Sequence, residues 1–323
     1  MTFYRPDLHS ELLRLCMLQS SEYKSPKLLL GSEVATVDIN NATVVLTNGS
    51  SISGDLVIGA DGERSLVKAA FKELDTLRPA PYRIFRAIVP TETLVDNKRQ
   101  WPVLSLTTSK FAIFRKGTRI LSWFEGRDGF LQDLEAGYNI SLDEDQGPET
   151  DPVKVKQKML HTFSDYHPSI LAALRKAERV SDWPVYYSTP LAHLHKGRAV
   201  LIGDAAHSML PTTGQGGTQS LEDICALAIF LHSDSLKGKR ERQVEERLAM
   251  FEELRKERMA IVQAGSGIMF GDEERLEKTK WGQVLKRAGI RDGEGHLRFL
   301  YQYDIFEESR KALEEGMRAK ARL

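Results

Sequence analysis

The sequence predicts an α/β fold, because short apolar strands alternate with helices and two strands lead into an aspartate beside a glycine. Residues 55–59 read Asp-Leu-Val-Ile-Gly and precede Asp61, whereas residues 199–203 read Ala-Val-Leu-Ile-Gly and precede Asp204. Short apolar runs of this kind are typical of buried parallel strands. The chain has 323 residues, which allows one large domain or two of ordinary size.

The pattern before the first of these strands changes from helical to β-rich. Leu8, Leu12 and Leu15 recur at helical spacing and predict an amphipathic helix over residues 6–20. Between residues 27 and 62, β-rich runs are separated by Asn-Asn and Asn-Gly pairs, which supply the backbone angles of tight hairpin turns. This stretch therefore predicts a small meander.

The rest of the chain is predicted to form further strands and then mostly helices. Residues 80–125 are strand-like, and residues 132–152, which are acidic and contain Gly and Pro, are interpreted as a surface excursion. The charged run Arg255-Lys256-Glu257-Arg258 is interpreted as a solvated helix face. Predicted helices cover residues 153–163, 168–179, 218–232 and most of 241–323.

Composition excludes several classes of partner. Lys plus Arg and Asp plus Glu number 45 each, so no net field attracts nucleic acid or an anionic membrane, and no apolar run reaches the ~18 residues of a membrane helix. Cys16 and Cys225 are too few for a disulfide scaffold, which favours a reducing, cytoplasmic compartment. Residues 321–323, Ala-Arg-Leu, loosely resemble a peroxisomal address and keep that compartment open as an alternative. The sequence does not fix the oligomeric state.

The histidines do not predict a metal site. His193 and His195 form a His-x-His pair, and His161 and His167 lie near each other in the sequence. Neither pair has a carboxylate or cysteine at the spacing of a metal-ligand set, so ordinary polar histidines are the preferred interpretation.

The chemistry is expected at the two strand ends. Open α/β sheets bind ligands beyond the carboxyl ends of their strands, where a carboxylate accepts hydrogen bonds from sugar hydroxyls. The longer motif, residues 203–217, ends in Gly214-Gln215-Gly216-Gly217 just ahead of a helix. Glycines let backbone N–H groups approach a flat ligand, and a helix N-terminus favours an anion. An aspartate that merely caps a turn is the alternative, which a motif of this length disfavours.

The string from Arg198 to Asp223 closely resembles the flavin-binding signature of the FAD-dependent aromatic-ring hydroxylase family, in particular its salicylate-hydroxylase-like monooxygenases. Four further stretches agree with that family in order and spacing. They are residues 5–12, 55–68, 85–90 and 299–304. The resemblance therefore extends over nearly the whole chain.

This resemblance implies a fold with three sequence segments. Residues 1–74 would form the remaining N-terminal part of an FAD-binding, Rossmann-like domain of the aromatic-hydroxylase type. Residues 75–187 would form an inserted substrate-binding domain with a mixed β-sheet. Residues 188–323 would complete the FAD-binding domain and add C-terminal helices.

The resemblance also implies an activity and a set of site residues. NAD(P)H would reduce FAD, and O₂ would supply the oxygen atom that hydroxylates or epoxidises a small aromatic or polyketide-type metabolite, as in secondary metabolism. Arg86 would face the substrate as a candidate catalytic residue, and the alternative is a strand arginine paired with a surface carboxylate. The residues implied to contact FAD are Arg5, Asp61, Asp204, Pro211, Gly214, Gln215, Gly216 and Gly217.

One part of the family pattern is missing. The family begins with a strand and a Gly-x-Gly-x-x-Gly turn that holds the pyrophosphate, whereas the first 54 residues here contain only Gly31, Gly49 and Gly54. We therefore expect an N-terminally truncated FAD domain, in which the loss of charge-assisted hydrogen bonds weakens FAD binding roughly a thousandfold or more. We also expect the strands at 55–59 and 199–203 to lack a partner strand between them. The alternatives are a redox-inactive small-molecule binding protein and a non-redox cyclase or isomerase.

Overall fold

The computed structural model describes residues 4–19, 24–72, 77–94, 111–141, 149–232, 240–267, 280–290 and 293–321. The chain divides into two compact units. Unit 1 comprises Met1–Leu30 and Pro79–Val185, and unit 2 comprises Gly31–Arg78 and Tyr186–Leu323. The domain limits at 74/75 and 187/188, and the place of the first residues in an FAD-binding domain, stay predictions.

The elements follow one another as short strands, a longer-stranded middle region and a helical C-terminal region. The strands are β1 (Val34–Asp38), β2 (Thr43–Leu46), β3 (Ser51–Ser53), β4 (Val57–Gly59), β5 (Leu77–Pro90), β6 (Phe111–Lys116), β7 (Arg119–Gly126), β8 (Leu131–Asn139), β9 (Arg179–Ser188), β10 (His195–Lys196) and β11 (Ala199–Leu201). The α-helices are α1 (Arg5–Cys16), α2 (Leu66–Ala70), α3 (Pro152–Thr162), α4 (Pro168–Lys176), α5 (Asp204–His207), α6 (Gly216–Phe230), α7 (Arg240–Ser266), α8 (Lys280–Arg287), α9 (Gly293–Tyr301) and α10 (Ile305–Ala321).

Unit 1 is built on a five-stranded sheet with the order β6-β7-β8-β5-β9. Strands β6, β7, β8 and β5 pair with their neighbours in antiparallel fashion. Because side chains alternate between the faces of a strand, one face of β5 buries Phe85, Ala87 and Val89 in a core that also includes Met159 of α3 and Leu174 of α4. The other face carries polar and apolar side chains that are only partly buried.

The interpretation of residues 132–152 as a surface excursion is wrong for its first half. Residues 131–139 form β8, which lies inside the sheet between β7 and β5. Its buried positions are Gln132, Leu134, Ala136 and Tyr138, so the acidic residues that suggested a loop occupy the opposite face of a strand. In this segment the strict alternation of buried and partly exposed side chains indicates a strand, whereas the mean polarity of the residues does not.

Unit 2 contains the predicted meander and the two predicted strand-end motifs. Strands β1, β2 and β3 form an antiparallel sheet, which confirms the meander. Strand β11 pairs directly with β4 in parallel, with Leu201 opposite Gly59, so the expectation of a missing partner between these two strands is wrong. In the described sheet β4 has β11 on one side only, and Ile58 is 48% exposed although the pattern predicted a buried strand.

The helices agree with the predicted ones to within a few residues at most ends. Helix α4 ends at Lys176, earlier than predicted, because Arg179 already starts β9. Helix α1 forms over Arg5–Cys16, and none of its residues is buried. Helices α6 and α7 pack with β11 around the main core of unit 2, which contains Val200, Phe230 and Phe251.

Among the helices that the structure describes, none combines the length and the apolar character needed to cross a membrane. The C-terminal tripeptide that resembles a peroxisomal address includes residues 322–323, which lie outside the described residues.

Candidate cofactor site

The two strand-end motifs lie at one edge of the same sheet. Strands β4 and β11 are parallel and adjacent, so the loops that follow Gly59 and Leu201 leave the sheet at the same end. This is the end at which open α/β sheets bind ligands. Burial raises the pKa of Glu63, the nearby Arg64 charge opposes that shift, and the charge of Asp204 adds to it. The loop after β4, which carries Glu63, is therefore close enough to the loop after β11 for the charge of Asp204 to act on it.

Gly59 allows close packing at this edge. A Cβ atom on residue 59 would lie 2.7 Å from Cβ of Val67 and 2.9 Å from Cδ2 of Leu201. Contacts of that length are far inside van der Waals separation, so a larger residue would push α2 away from the strands. The glycine of the first motif is thus explained by packing between helix and strand.

Asp61 caps helix α2 in its own loop. Its carboxylate accepts a hydrogen bond from Ser65 Oγ at 2.6 Å and from the Leu66 N–H at 2.7 Å. Ser65 Oγ in turn accepts from the Lys68 N–H, so both residues satisfy donors of the first helical turn. The contact of Asp61 with a pyrophosphate remains a prediction.

Asp204 is placed differently, with its carboxylate exposed beside the start of α6. It opens α5 directly after Gly203, which has a positive φ of 59°. The Oδ1 atom lies 4.0 Å from the position that a Cβ atom on Gly216 would occupy. No hydrogen bond within the described part of the chain involves this carboxylate, so its oxygens are open to a ligand.

The glycine-rich segment leaves its backbone accessible. Gly214 adopts the left-handed conformation, with a φ of 63°, that favours glycine. No atom lies within 4 Å of the position of a Cβ on Gly217, and no side chain caps the first turn of the 15-residue helix α6. Pro211 and Gly217 are exposed, whereas Gln215 is buried and its amide oxygen is 3.4 Å from Gln219 Nε2. The segment thus combines a flat, open surface with unpaired backbone donors, which suits a planar anionic group.

Behind this segment lies a network of buried charges that sequence reasoning missed. Asp223 and Glu222 of α6 pair with Arg255 of α7, and Glu222 also pairs with Arg258. Arg255 is 0% exposed and Arg258 is 4% exposed, so the interpretation of this run as a solvated helix face is wrong for both arginines, although Lys256 and Glu257 between them are exposed. The signal was in α6, where Glu222 and Asp223 share the buried face with Ala226, because buried acids need cationic partners.

Arg86 and Arg5, the remaining predicted site residues, belong to unit 1. Arg86 lies on β5 and pairs with Asp133 of β8 at 2.6 Å, with its side chain 35% exposed. Arg5 begins α1 and is exposed. Their contacts with substrate and FAD stay predictions.

The two histidines of the His-x-His pair contact the carboxylate of Glu252, which lies far from them in the sequence. Nδ1 of His195 lies 2.9 Å from Oε2 of Glu252, and Nδ1 of His193 lies 3.3 Å from Oε1 of the same residue. Glu252 also accepts the Leu194 N–H at 2.7 Å, so it fastens this loop to α7. Over the described ranges of the chain, no group of three or more potential ligands is arranged to hold a metal ion.

The site combines two adjacent parallel strands, an open carboxylate and a glycine-rich segment ahead of a helix. These features define an α/β protein that binds a nucleotide cofactor. A family model described as the FAD binding domain matches residues 31–264, and the chain belongs to that family. It is an FAD-dependent monooxygenase, with FAD as cofactor.

Several characterised proteins are similar over nearly the whole chain. Hispidin-3-hydroxylase of Neonothopanus nambi is 31% identical over 335 residues, which cover 98% of this chain and 74% of that protein. The FAD-dependent monooxygenase cfoG of Aspergillus candidus is 30% identical over 317 residues, covering 96% and 72% of the two chains. Among solved structures, a salicylate hydroxylase in complex with its substrate superposes with a TM-score of 0.72 at 22% identity, covering 95% of this chain and 75% of the other. This likeness shows that the fold is shared.

Proposed function

We propose that this monooxygenase hydroxylates or epoxidises a small aromatic or polyketide-type metabolite, with NAD(P)H as reductant and O₂ as the source of oxygen. The names of its relatives support this substrate class, since one is a hispidin hydroxylase and others are fungal FAD-dependent monooxygenases. Arg86 is the residue that we assign to the substrate, on the partly buried face of the unit 1 sheet.

The single observation that carries the cofactor assignment is the position of Asp204 beside Gly216. An open carboxylate next to a glycine-rich helix start offers acceptors for the hydroxyls of a ribityl or ribose chain and donors for an anionic ring edge. The open space at Gly217 would let a flat ring approach the backbone. The residues present therefore fit a flavin.

When bound, FAD would take a hydride from NAD(P)H and pass the electrons to O₂, so that one oxygen atom enters the substrate and the other leaves as water. The chain itself contributes binding and orientation. The backbone N–H groups at the start of α6 stabilise negative charge, and the Asp204 carboxylate holds hydroxyl groups in place. The guanidinium group of Arg86 would orient the substrate by donating to its oxygen atoms.

We place the reaction in the cytoplasm. Cys16 and Cys225 are both free thiols, and Cys16 is exposed, which suits a reducing compartment. The peroxisome remains the alternative to be tested by localising a tagged chain with and without its last three residues.

The substitution Gly217→Ala tests the cofactor assignment, because its effects on folding and on binding have opposite signs. Nothing lies within 4 Å of the new methyl group, and Ala is a better helix former than Gly by about 0.5–1 kcal/mol. We therefore expect unchanged or slightly higher thermal stability together with weaker FAD binding. Gly54→Ala, directly after β3 and outside both motifs with its nearest neighbour at 3.7 Å, is the matched control and should leave FAD binding unchanged.

Equal FAD affinity in Gly217→Ala and in the parent chain would show that the glycine-rich segment is not part of the cofactor site. A folded parent chain that binds a small aromatic compound but neither FAD nor NAD(P)H would instead support the redox-inactive binding protein.

A further inference from the structure

The carboxylate of Asp223 contacts three separate elements of unit 2. It lies on the inner face of α6 and is 0% exposed. Its Oδ2 atom accepts hydrogen bonds from the Gly203 N–H at 2.9 Å and from Nε2 of His207 at 2.7 Å. Its Oδ1 atom accepts from Nε of Arg255 at 2.9 Å. One carboxylate thus joins α6, α7 and the loop that follows β11.

The two loop contacts of Asp223 lie on either side of Asp204. Gly203 precedes that residue, and His207 ends the single helical turn that it begins. The N–H groups of Ala206 and His207 both donate to the Gly203 carbonyl oxygen, so the turn is short and closed. Fixing both of its ends fixes the direction in which the Asp204 side chain leaves the backbone.

The imidazole ring of His207 depends on the same carboxylate. A carboxylate oxygen is an acceptor, and Nε2 is the ring atom of His207 that faces it, 2.7 Å from Oδ2. His207 is 0% exposed, and its Nδ1 atom has no hydrogen-bond partner among the residues that the structure describes. The contact with Asp223 is therefore the polar contact that orients the ring.

Arg255 compensates the buried charge of Asp223. It also contacts Glu222, with 2.5 Å between NH1 and Oε2, and the Gln219 side chain at 2.8 Å. A buried carboxylate without such a partner would be costly, so the arginine stabilises Asp223 in the position where it accepts three donors.

We propose that Asp223 is a positioning residue, which acts through the Gly203 N–H and His207 to hold Asp204 in the orientation that binds the FAD hydroxyls. This inference rests on the proposed function for the placement of FAD, and it assigns a role to a residue that does not itself touch the cofactor.

Glu222 provides a matched control on the same helix. It is adjacent in sequence, buried and paired with the same Arg255, but its hydrogen bonds go to Arg255, Arg258 and Gln219. None of the residues from 203 to 210 is among its partners in the described structure. Asp223→Asn and Glu222→Gln therefore both disturb the buried ion pairs, but only the first disturbs the Asp204 turn.

The experiment compares Asp223→Asn, Glu222→Gln and the parent chain in three measurements. These are thermal stability, backbone hydrogen exchange of residues 203–210 without FAD, and the FAD dissociation constant from flavin fluorescence. We expect both variants to lose stability, and Asp223→Asn alone to lose exchange protection at Gly203 and to bind FAD at least about tenfold more weakly, as for one hydrogen bond to a charged group. Equal effects of the two variants on exchange and on FAD affinity would overturn the proposal.

His207 supplies a second pair of variants if Asp223→Asn does not fold. His207→Gln keeps a donor for Asp223, so exchange protection at Gly203 and FAD affinity should stay near the parent values. His207→Leu lacks a donor and should lose both. Equal behaviour of Gln and Leu would contradict the positioning role. If the parent chain binds no FAD, the proposed function fails, while the exchange data still decide whether Asp223 orders the turn.

Discussion

The guanidinium group of Arg86 reaches diagonally across the unit 1 sheet to Asp133, with NH2 2.6 Å and Nε 3.2 Å from its Oδ2 atom. The residue directly opposite Arg86 in the register is Glu135. The Asp133 side chain is 14% exposed and that of Arg86 is 35% exposed, so the pair lies partly open on the face away from the core. An arginine has five donors, and this pairing leaves several of them for a ligand.

Arg86→Lys tests whether those donors act on the substrate. Lysine keeps the charge but loses the planar fork, so we expect kcat/KM to fall roughly 10–100-fold, as for the loss of one charge-assisted hydrogen bond, while FAD affinity is unchanged. Asp133→Asn is the control, because it removes the ion pair but keeps Arg86. If the pair is only structural, both variants will lower stability and neither will change kcat/KM.

Glu135 should make stability depend on pH in one direction. Burial and then the charge of Asp133 raise its pKa, while Arg86 lowers it, with a net shift above the ordinary value of 4.5. A raised pKa means that the folded state binds the proton more tightly, so the associated stability is present below 4.5 and is lost as the pH rises through the folded-state pKa.

Glu135→Gln removes this titration. We expect the variant to melt at a higher temperature than the parent chain at pH 7 to 8, and the difference to vanish on acidification below the ordinary glutamate value of 4.5. Parallel melting scans of the two chains across that range measure it, and a difference that stays constant with pH would show that Glu135 is not a titrating contributor.

Asp182 should be essential for the stability of unit 1, and its partner Lys158 should not be. Asp182 is buried and bonded to Arg83, to the Tyr138 hydroxyl and to Lys158. Asp182→Asn removes the carboxylate that is bonded to the buried Arg83, so we expect a loss of about 3–5 kcal/mol. Lys158→Ala removes a side chain that is 46% exposed and should cost at most about 1 kcal/mol. Denaturant unfolding of both variants checks this order, which equal losses would contradict.

Gly59→Ala should destabilise unit 2. The added methyl group would overlap Val67 and Leu201, and overpacking of this kind costs roughly 1–3 kcal/mol. Thermal unfolding measures the loss. The loss should be smaller in a Leu201→Ala background, because alanine lacks the Cδ2 atom that would lie 2.9 Å from the new methyl group. A Gly59→Ala loss of equal size in both backgrounds would place the overlap elsewhere.

The fold could be predicted where sequence spacing is local and regular. The Asn-Asn and Asn-Gly turns fixed the meander, and the apolar runs before Asp61 and Asp204 located two parallel strands. The interpretation of residues 132–152 as a surface excursion fails for residues 132–139, because the acidic side chains there alternate with buried ones along a strand. Direct pairing of β4 with β11 was not predictable, since it depends on contacts between residues far apart in the chain.

The site could be predicted only for the residues that carry the motif. Asp204, which begins α5, and Gly217, in the first turn of α6, are both exposed, and their contact with FAD stays a prediction. Asp223, His207 and Arg255 were missed, because their connection runs between a loop and two helices and has no local signature. A charged residue on an apolar helix face was the available clue, and it indicates a buried partner rather than a solvated surface.

The most direct test of the account is an FAD titration of the purified chain, followed by flavin absorbance and NAD(P)H oxidation. We predict saturable binding of FAD, and NAD(P)H oxidation that requires the bound flavin. A folded chain that retains no flavin at any concentration tested would contradict the account, because the residues from Asp204 to Gly217 would then not form a cofactor site in this chain.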